Sequence, residues 1–153
     1  MRYNSLRRRR SGATLVETTF VVLIFLMLLF GIFEYGRFVM TKQIMENAAR
    51  EGARWAVVNT YSGTTANVQD VVDQKLSSAR QQLVGYNKTT SITVFAADDT
   101  GNPITGTLWS DVGFGQAIGV QVSGTYKPAL PNLLRMNTSF TITARSIMQS
   151  EAN

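Results

Sequence analysis

Ala13-Thr14-Leu15-Val16-Glu17-Thr18-Thr19-Phe20-Val21-Val22-Leu23-Ile24-Phe25-Leu26-Met27-Leu28-Leu29-Phe30-Gly31-Ile32-Phe33 is a run of 21 residues in which Glu17 carries the only charge. At about 1.5 Å per residue a helix of this length spans roughly 30 Å, the thickness of a bilayer's hydrocarbon core. A secretory signal has a shorter apolar region, about 7 to 15 residues, closed by a small-residue cut. Here Gly31-Ile32-Phe33-Glu34-Tyr35 follows instead, so the run reads as a spanning helix. Arg7 to Arg10 precede it, and by the positive-inside preference they hold the N-terminus in the cytoplasm and send everything after Tyr35 outside.

Charge is informative only once it is located. The 153-residue chain has a formal charge of +5 and a basic pI near 9.9. Arg2 and Arg7 to Arg10 supply five of its fifteen cations before Ala13, with no acid among them, which leaves ten cations against ten acids in the remainder. The excess belongs to the leader, so it is no signal for nucleic acid. Cysteine and histidine are both absent, which excludes Cys/His zinc sites, thiol nucleophiles and histidine-based triads. The expectation is a non-enzyme with no cofactor and no metal, made of one membrane helix and one small domain.

Glu17 is costly where it stands. A carboxylate inside an apolar helix costs about 2.5 to 3.5 kcal/mol at the centre and less near the boundary. It either reaches back to the cytoplasmic surface or has a specific partner. The second reading draws in Gly12: a cut between Gly12 and Ala13 creates an amine beside the helix, able to neutralise the Glu17 of a neighbouring copy.

Gly12-Ala13-Thr14-Leu15-Val16-Glu17 followed by an apolar helix resembles the processing site of type IV pilin-like proteins. The later stretch Asn47-Ala48-Ala49-Arg50-Glu51-Gly52-Ala53-Arg54-Trp55-Ala56 resembles the signature of the TadE family, the minor pilin-like proteins or pseudopilins of the Tad/Flp pilus system. The resemblance implies cleavage by a prepilin peptidase at Gly12 and Ala13, residence in the cytoplasmic (inner) membrane, and assembly through Glu17. Its implied partners are that peptidase, other pilins or pseudopilins, a membrane assembly platform and the lipid bilayer; the implied role is building a pilus for adhesion. Many type IV pilins begin with phenylalanine after the cut, where this chain has Ala13. Major Flp pilins are shorter and have tyrosine after the glutamate, where this chain has Thr18 and a large C-terminal domain; the likeness is therefore to a minor component. A single-pass anchored binding or sensory domain, or a type II secretion pseudopilin, also fits the anchor.

The helix is predicted to continue from about Thr14 to Val58, because Glu34 with Arg37 and Glu46 with Arg50 form favourable charge pairs and no proline precedes Pro103. Gly31 and Gly36 are places where it can bend. Ala48, Gly52 and Ala56, flanked by Ala49 and Ala53, form a stripe without bulk, suited to helix packing against the protein's own sheet or to a subunit contact. The organisation expected is a leader at 1–12, a membrane helix at 13–35, its extension at 36–58 and a small α+β domain at 59–153. Within that domain, Val68, Val71, Val72, Leu76, Ala79 and Leu83 keep helical spacing and predict an amphipathic helix over 66–84, closed by Gly85. Alternation around Ile92, Val94 and Ala96, around Ile118, Val120, Val122 and Tyr126, and around Phe140, Ile142 and Ala144 predicts an antiparallel sheet of about three strands near 91–97, 117–127 and 138–148.

In the loops, Asp98-Asp99-Thr100-Gly101-Asn102-Pro103 has the ligand types of a calcium loop without the spacing or the distal glutamate, and reads as a turn. Trp109 with Phe114 is either a plug for the domain or an exposed contact. Lys127 to Leu134 reads as a proline-stiffened edge loop. No internal repeat, phosphate-binding loop or paired-carboxylate site is recognisable.

Overall fold

The computed structural model describes residues 11–131 and 137–150. The leader arginines and residues 132–134 of the proline-bearing loop lie outside the described residues. Helix α1 runs over Ser11–Val58, 48 residues and about 70 Å. Its apolar N-terminal half is uncovered, and it is the one helix among the described residues long and apolar enough to cross a membrane. From Glu34 onward the same helix becomes the spine of an α+β domain, burying Thr41, Met45, Ala48, Ala49, Ala53, Ala56 and Val57.

Helix α2, Thr65–Lys75, starts at a capping box in which Thr64 and Asn67 satisfy each other's backbone N–H groups. It stops far short of the predicted 84. The apolar positions Leu76, Ala79 and Leu83 are buried as their spacing suggests, yet a turn and a 3-10 segment, Arg80–Gln82, deliver them. Ser77 and Ser78 are poor helix formers, and Leu83 and Val84 exchange helical hydrogen bonds for sheet pairing as strand β1 (Leu83–Val84), opposite Tyr126 and Thr125. Gly85, at φ +66°, therefore follows a strand and closes no helix. A four-residue helix α3 (Lys88–Ser91) leads into β2 (Ile92–Ala97), and β3 (Ala117–Tyr126) and β4 (Phe140–Gln149) complete the sheet.

The sheet is antiparallel and open, with four strands against the three expected. Strand β3 is central. It pairs with β4 in one unbroken register from Ala117↔Gln149 to Tyr126↔Phe140, while β1 and β2 share its other edge. One face carries Ile92, Ala96, Ile118, Val120, Val122, Tyr126, Ile142 and Ala144 into the core, where α1 and α2 cover them. On the opposite face the Phe95 ring lies over Gly119, whose missing Cβ leaves room for it, and the Arg145 guanidinium stacks 4.7 Å from that ring's centre.

Candidate functional site

Two parts of α1 bear on function: the uncovered apolar stretch and the point, near mid-helix, where it enters the domain. At the entry, Glu34 sits one position after Phe33, which is exposed, yet Glu34 itself is only 5% exposed. Its Oε1 accepts the Tyr126 hydroxyl at 2.5 Å, and its Oε2 accepts the Ala129 N–H at 3.1 Å and faces the Arg37 guanidinium at 3.4 Å. Phe38, one turn on, meets the Tyr126 ring edge to face at 5.6 Å. One carboxylate thus ties the base of the domain, through the end of β3 and the loop after it, to the first turn beyond the apolar stretch. Burial together with the neighbouring Glu34 carboxylate pushes the Tyr126 phenol up to about 12. Beside this latch is an apolar groove of about 380 Å³ lined by Gly31, Glu34, Tyr35, Phe38, Tyr126 and Phe140.

The predicted pair of Glu34 with Arg37 is present, but Glu46 faces back to Lys42 at 3.9 Å and no ion pair with Arg50 is found among the described residues. Tyr126 and Ala129 were not foreseen as partners of Glu34. The available signal was the carboxylate itself, standing at the end of an apolar run where a buried acid requires more than one exposed arginine.

At the other end, Gly12, Ala13 and Glu17 are all exposed on the helix. Thr18 and Thr19 turn their hydroxyls back to the Thr14 and Leu15 carbonyls at 2.8 Å, which hides two polar groups from an apolar surrounding. The small-residue stripe lies in the domain's interior: Ala48, Ala49, Ala53 and Ala56 are buried, and a Cβ on Gly52 would stand 2.4 Å from Val72 Cγ2 and 3.3 Å from Val120 Cγ1. Glycine there sets how closely α1 approaches α2 and the sheet.

The loop residues separate in role. Trp109 is buried and donates its indole N–H to Thr65 Oγ1 at 2.9 Å, whereas Phe114 is 71% exposed. Asp98 Oδ1 accepts from the Thr100 N–H and hydroxyl and from the Asn102 N–H, which holds its carboxyl below the usual range and leaves this oxygen closing its own turn. Pro128 is buried beside the latch. Tyr86 donates to Asp73 at 2.9 Å, and burial followed by that bond raises its phenol.

The described structure is thus an uncovered apolar helix of membrane length that continues as the spine of a small α+β domain. The family model described as TadE-like protein matches residues 12–54, which take in the apolar stretch, the latch glutamate and the small-residue stripe. That match supports a likeness to Tad pilus-associated, pilin-like proteins over this part of the chain. No curated protein and no solved structure matches the chain.

Proposed function

We propose that this chain is a TadE-like minor pilin, or pseudopilin, that enters the cytoplasmic membrane through residues 13–35 with its N-terminus inside and its domain at 59–153 outside. A prepilin peptidase removes residues 1–12, cutting between Gly12 and Ala13. The mature protein then takes part in assembling a Tad/Flp-type pilus for adhesion, in contact with other pilins and a membrane platform. The observation that carries this reading is the TadE-like match over 12–54, whose first residue is the glycine of the proposed cut.

The mechanism is non-covalent. An uncovered apolar helix packs with others of its kind, and Glu17 offers a carboxylate to the amine that cleavage creates on a neighbour. Neutralising that charge by pairing offsets the cost of holding it in an apolar bundle. Intact-mass measurement of the protein from cells with and without an active prepilin peptidase tests the processing. Loss of residues 1–12 only in peptidase-positive cells is expected; a chain beginning at Met1 in both overturns the cut.

A further inference from the structure

Strand β4 runs alongside α1, away from the membrane end. Its first residue, Phe140, lines the groove with Glu34 and Phe38, and its last residues, Met148 and Gln149, line a second groove with Arg54, Val57, Val58 and Phe114. Beyond β3, no described residue pairs with it. Ser150 donates its N–H to the Gln116 carbonyl, so with the two-residue alternation of an antiparallel ladder the even-numbered residues turn their backbone to β3. Thr141, Thr143, Arg145, Ile147 and Gln149 therefore direct theirs outward. Among the described residues this edge lacks three of the usual protections: the register holds for ten pairs without a bulge, the strand has no proline, and its one charge, Arg145, is stacked on Phe95.

The helix flank above that edge has a charge pattern. Gly52 faces Val68 and Val72 of α2, which places α2 on one side of α1; Arg54, Val57 and Val58 line a groove with Met148 and Gln149 of β4 on the other. Arg50 precedes Arg54 by one turn. Both are exposed, and the four ion pairs among the described residues, Arg37 with Glu34, Lys42 with Glu46, Arg80 with Asp73 and Lys88 with Asp70, include neither. Residues four apart on a helix rise about 6 Å, and residues two apart on a strand about 6.6 to 6.8 Å. Arg50, Arg54 and Val58 therefore match three successive inward side chains of an added strand.

We propose that β4 is a docking edge for an extended segment of a partner protein that adds antiparallel to it, running toward the membrane with the pattern apolar-x-acidic-x-acidic. The apolar side chain enters the groove at Val58, Phe114 and Met148, and the two carboxylates meet Arg54 and Arg50. This does not rest on the pilus reading, and either can fail alone.

The test is fluorescence anisotropy with the full chain in detergent micelles and a labelled peptide, Thr-Val-Thr-Glu-Thr-Glu-Thr-Val. A control peptide has lysine in place of both glutamates. Wild type is expected to bind the acidic peptide at least about tenfold more tightly than the control, as two charge pairs of ordinary strength allow. The double variant Arg50→Glu/Arg54→Glu should reverse that preference. Thr143→Pro removes one outward N–H without touching the β3 ladder and should abolish binding of both peptides while the circular dichroism spectrum is kept. Absence of binding to wild type, equal binding of the two peptides, or an unreversed preference in the charge-swapped variant overturns the proposal.

Discussion

The Glu34 latch ties the domain to the apolar helix through three contacts whose strengths can be worked out. Glu34→Ala leaves the Tyr126 hydroxyl, on a residue 1% exposed, without its acceptor and frees the Ala129 N–H. Hydrogen bonds to a charged group contribute about 1.5 to 3 kcal/mol each, whereas the pair with Arg37, which is partly exposed, adds at most about 1. The expected loss is about 3 to 5 kcal/mol, a large share of a small domain's stability. Tyr126→Phe keeps the ring contact with Phe38 and removes only the hydroxyl, and should cost about 1.5 to 3 kcal/mol. The informative measurement is the double-mutant cycle on denaturant unfolding of the full chain in detergent, followed by Trp55 and Trp109 fluorescence. A coupling energy of about 1.5 kcal/mol or more between Glu34 and Tyr126 is expected. Coupling below about 0.5 kcal/mol would mean that the domain is held by apolar packing alone and that the latch argument is wrong.

Tyr126 also predicts alkaline sensitivity. Its phenol is raised to about 12 in the fold against about 10 in an unfolded chain, so the native state binds the proton more tightly; the stabilisation is complete below about pH 10 and is lost as pH rises through 12. The unfolding free energy of wild type, from denaturant titration, should fall over that window by on the order of 2 kcal/mol more than that of Tyr126→Phe, and parallel curves would reject this. Gly52→Val should destabilise by about 1 to 3 kcal/mol, since its side chain must displace Val72 and Val120; an unchanged thermal midpoint would show that the α1 to α2 spacing is loose. Glu17→Ala should leave membrane insertion intact, measured by carbonate extraction, while reducing piliation seen by electron microscopy; normal filaments in that variant count against the pairing of Glu17 with a neighbour's amine.

What could be read in the chain before folding followed the range of the interactions involved. The apolar stretch of α1 and the alternation of β2, β3 and β4 are local patterns, each repeated often enough to be unambiguous. The end of α2 was not, because Leu76, Ala79 and Leu83 satisfy helical spacing whether a helix or a tight turn delivers them, and β1, with two residues, has no period at all. The stripe from Ala48 to Ala56 announced a close approach without naming what approaches; Val68, Val72 and Val120 supply that in the fold. The latch was least legible, since Glu34 meets Tyr126 and Ala129 across 92 and 95 residues of chain, a distance over which no local pattern carries information.

Glu17, inside the apolar run, and Glu34, just beyond it, are consequently not equivalent. Glu34 has its charge met inside the same chain by a phenol, a backbone N–H and a guanidinium, so the domain sits at a fixed place on the helix. Glu17, about 25 Å earlier along the axis, forms no ion pair and no side-chain hydrogen bond among the described residues, and the surface around it is Leu15, Val16, Phe20 and Val21, all exposed. A carboxylate on such a surface costs little at a headgroup boundary and much inside a packed bundle of helices. If the helix leaves the lipid for a filament, the partner of Glu17 has to come from the bundle, and in register. The fold thus meets the charge of Glu34 by itself and leaves that of Glu17 without an ion pair among the described residues.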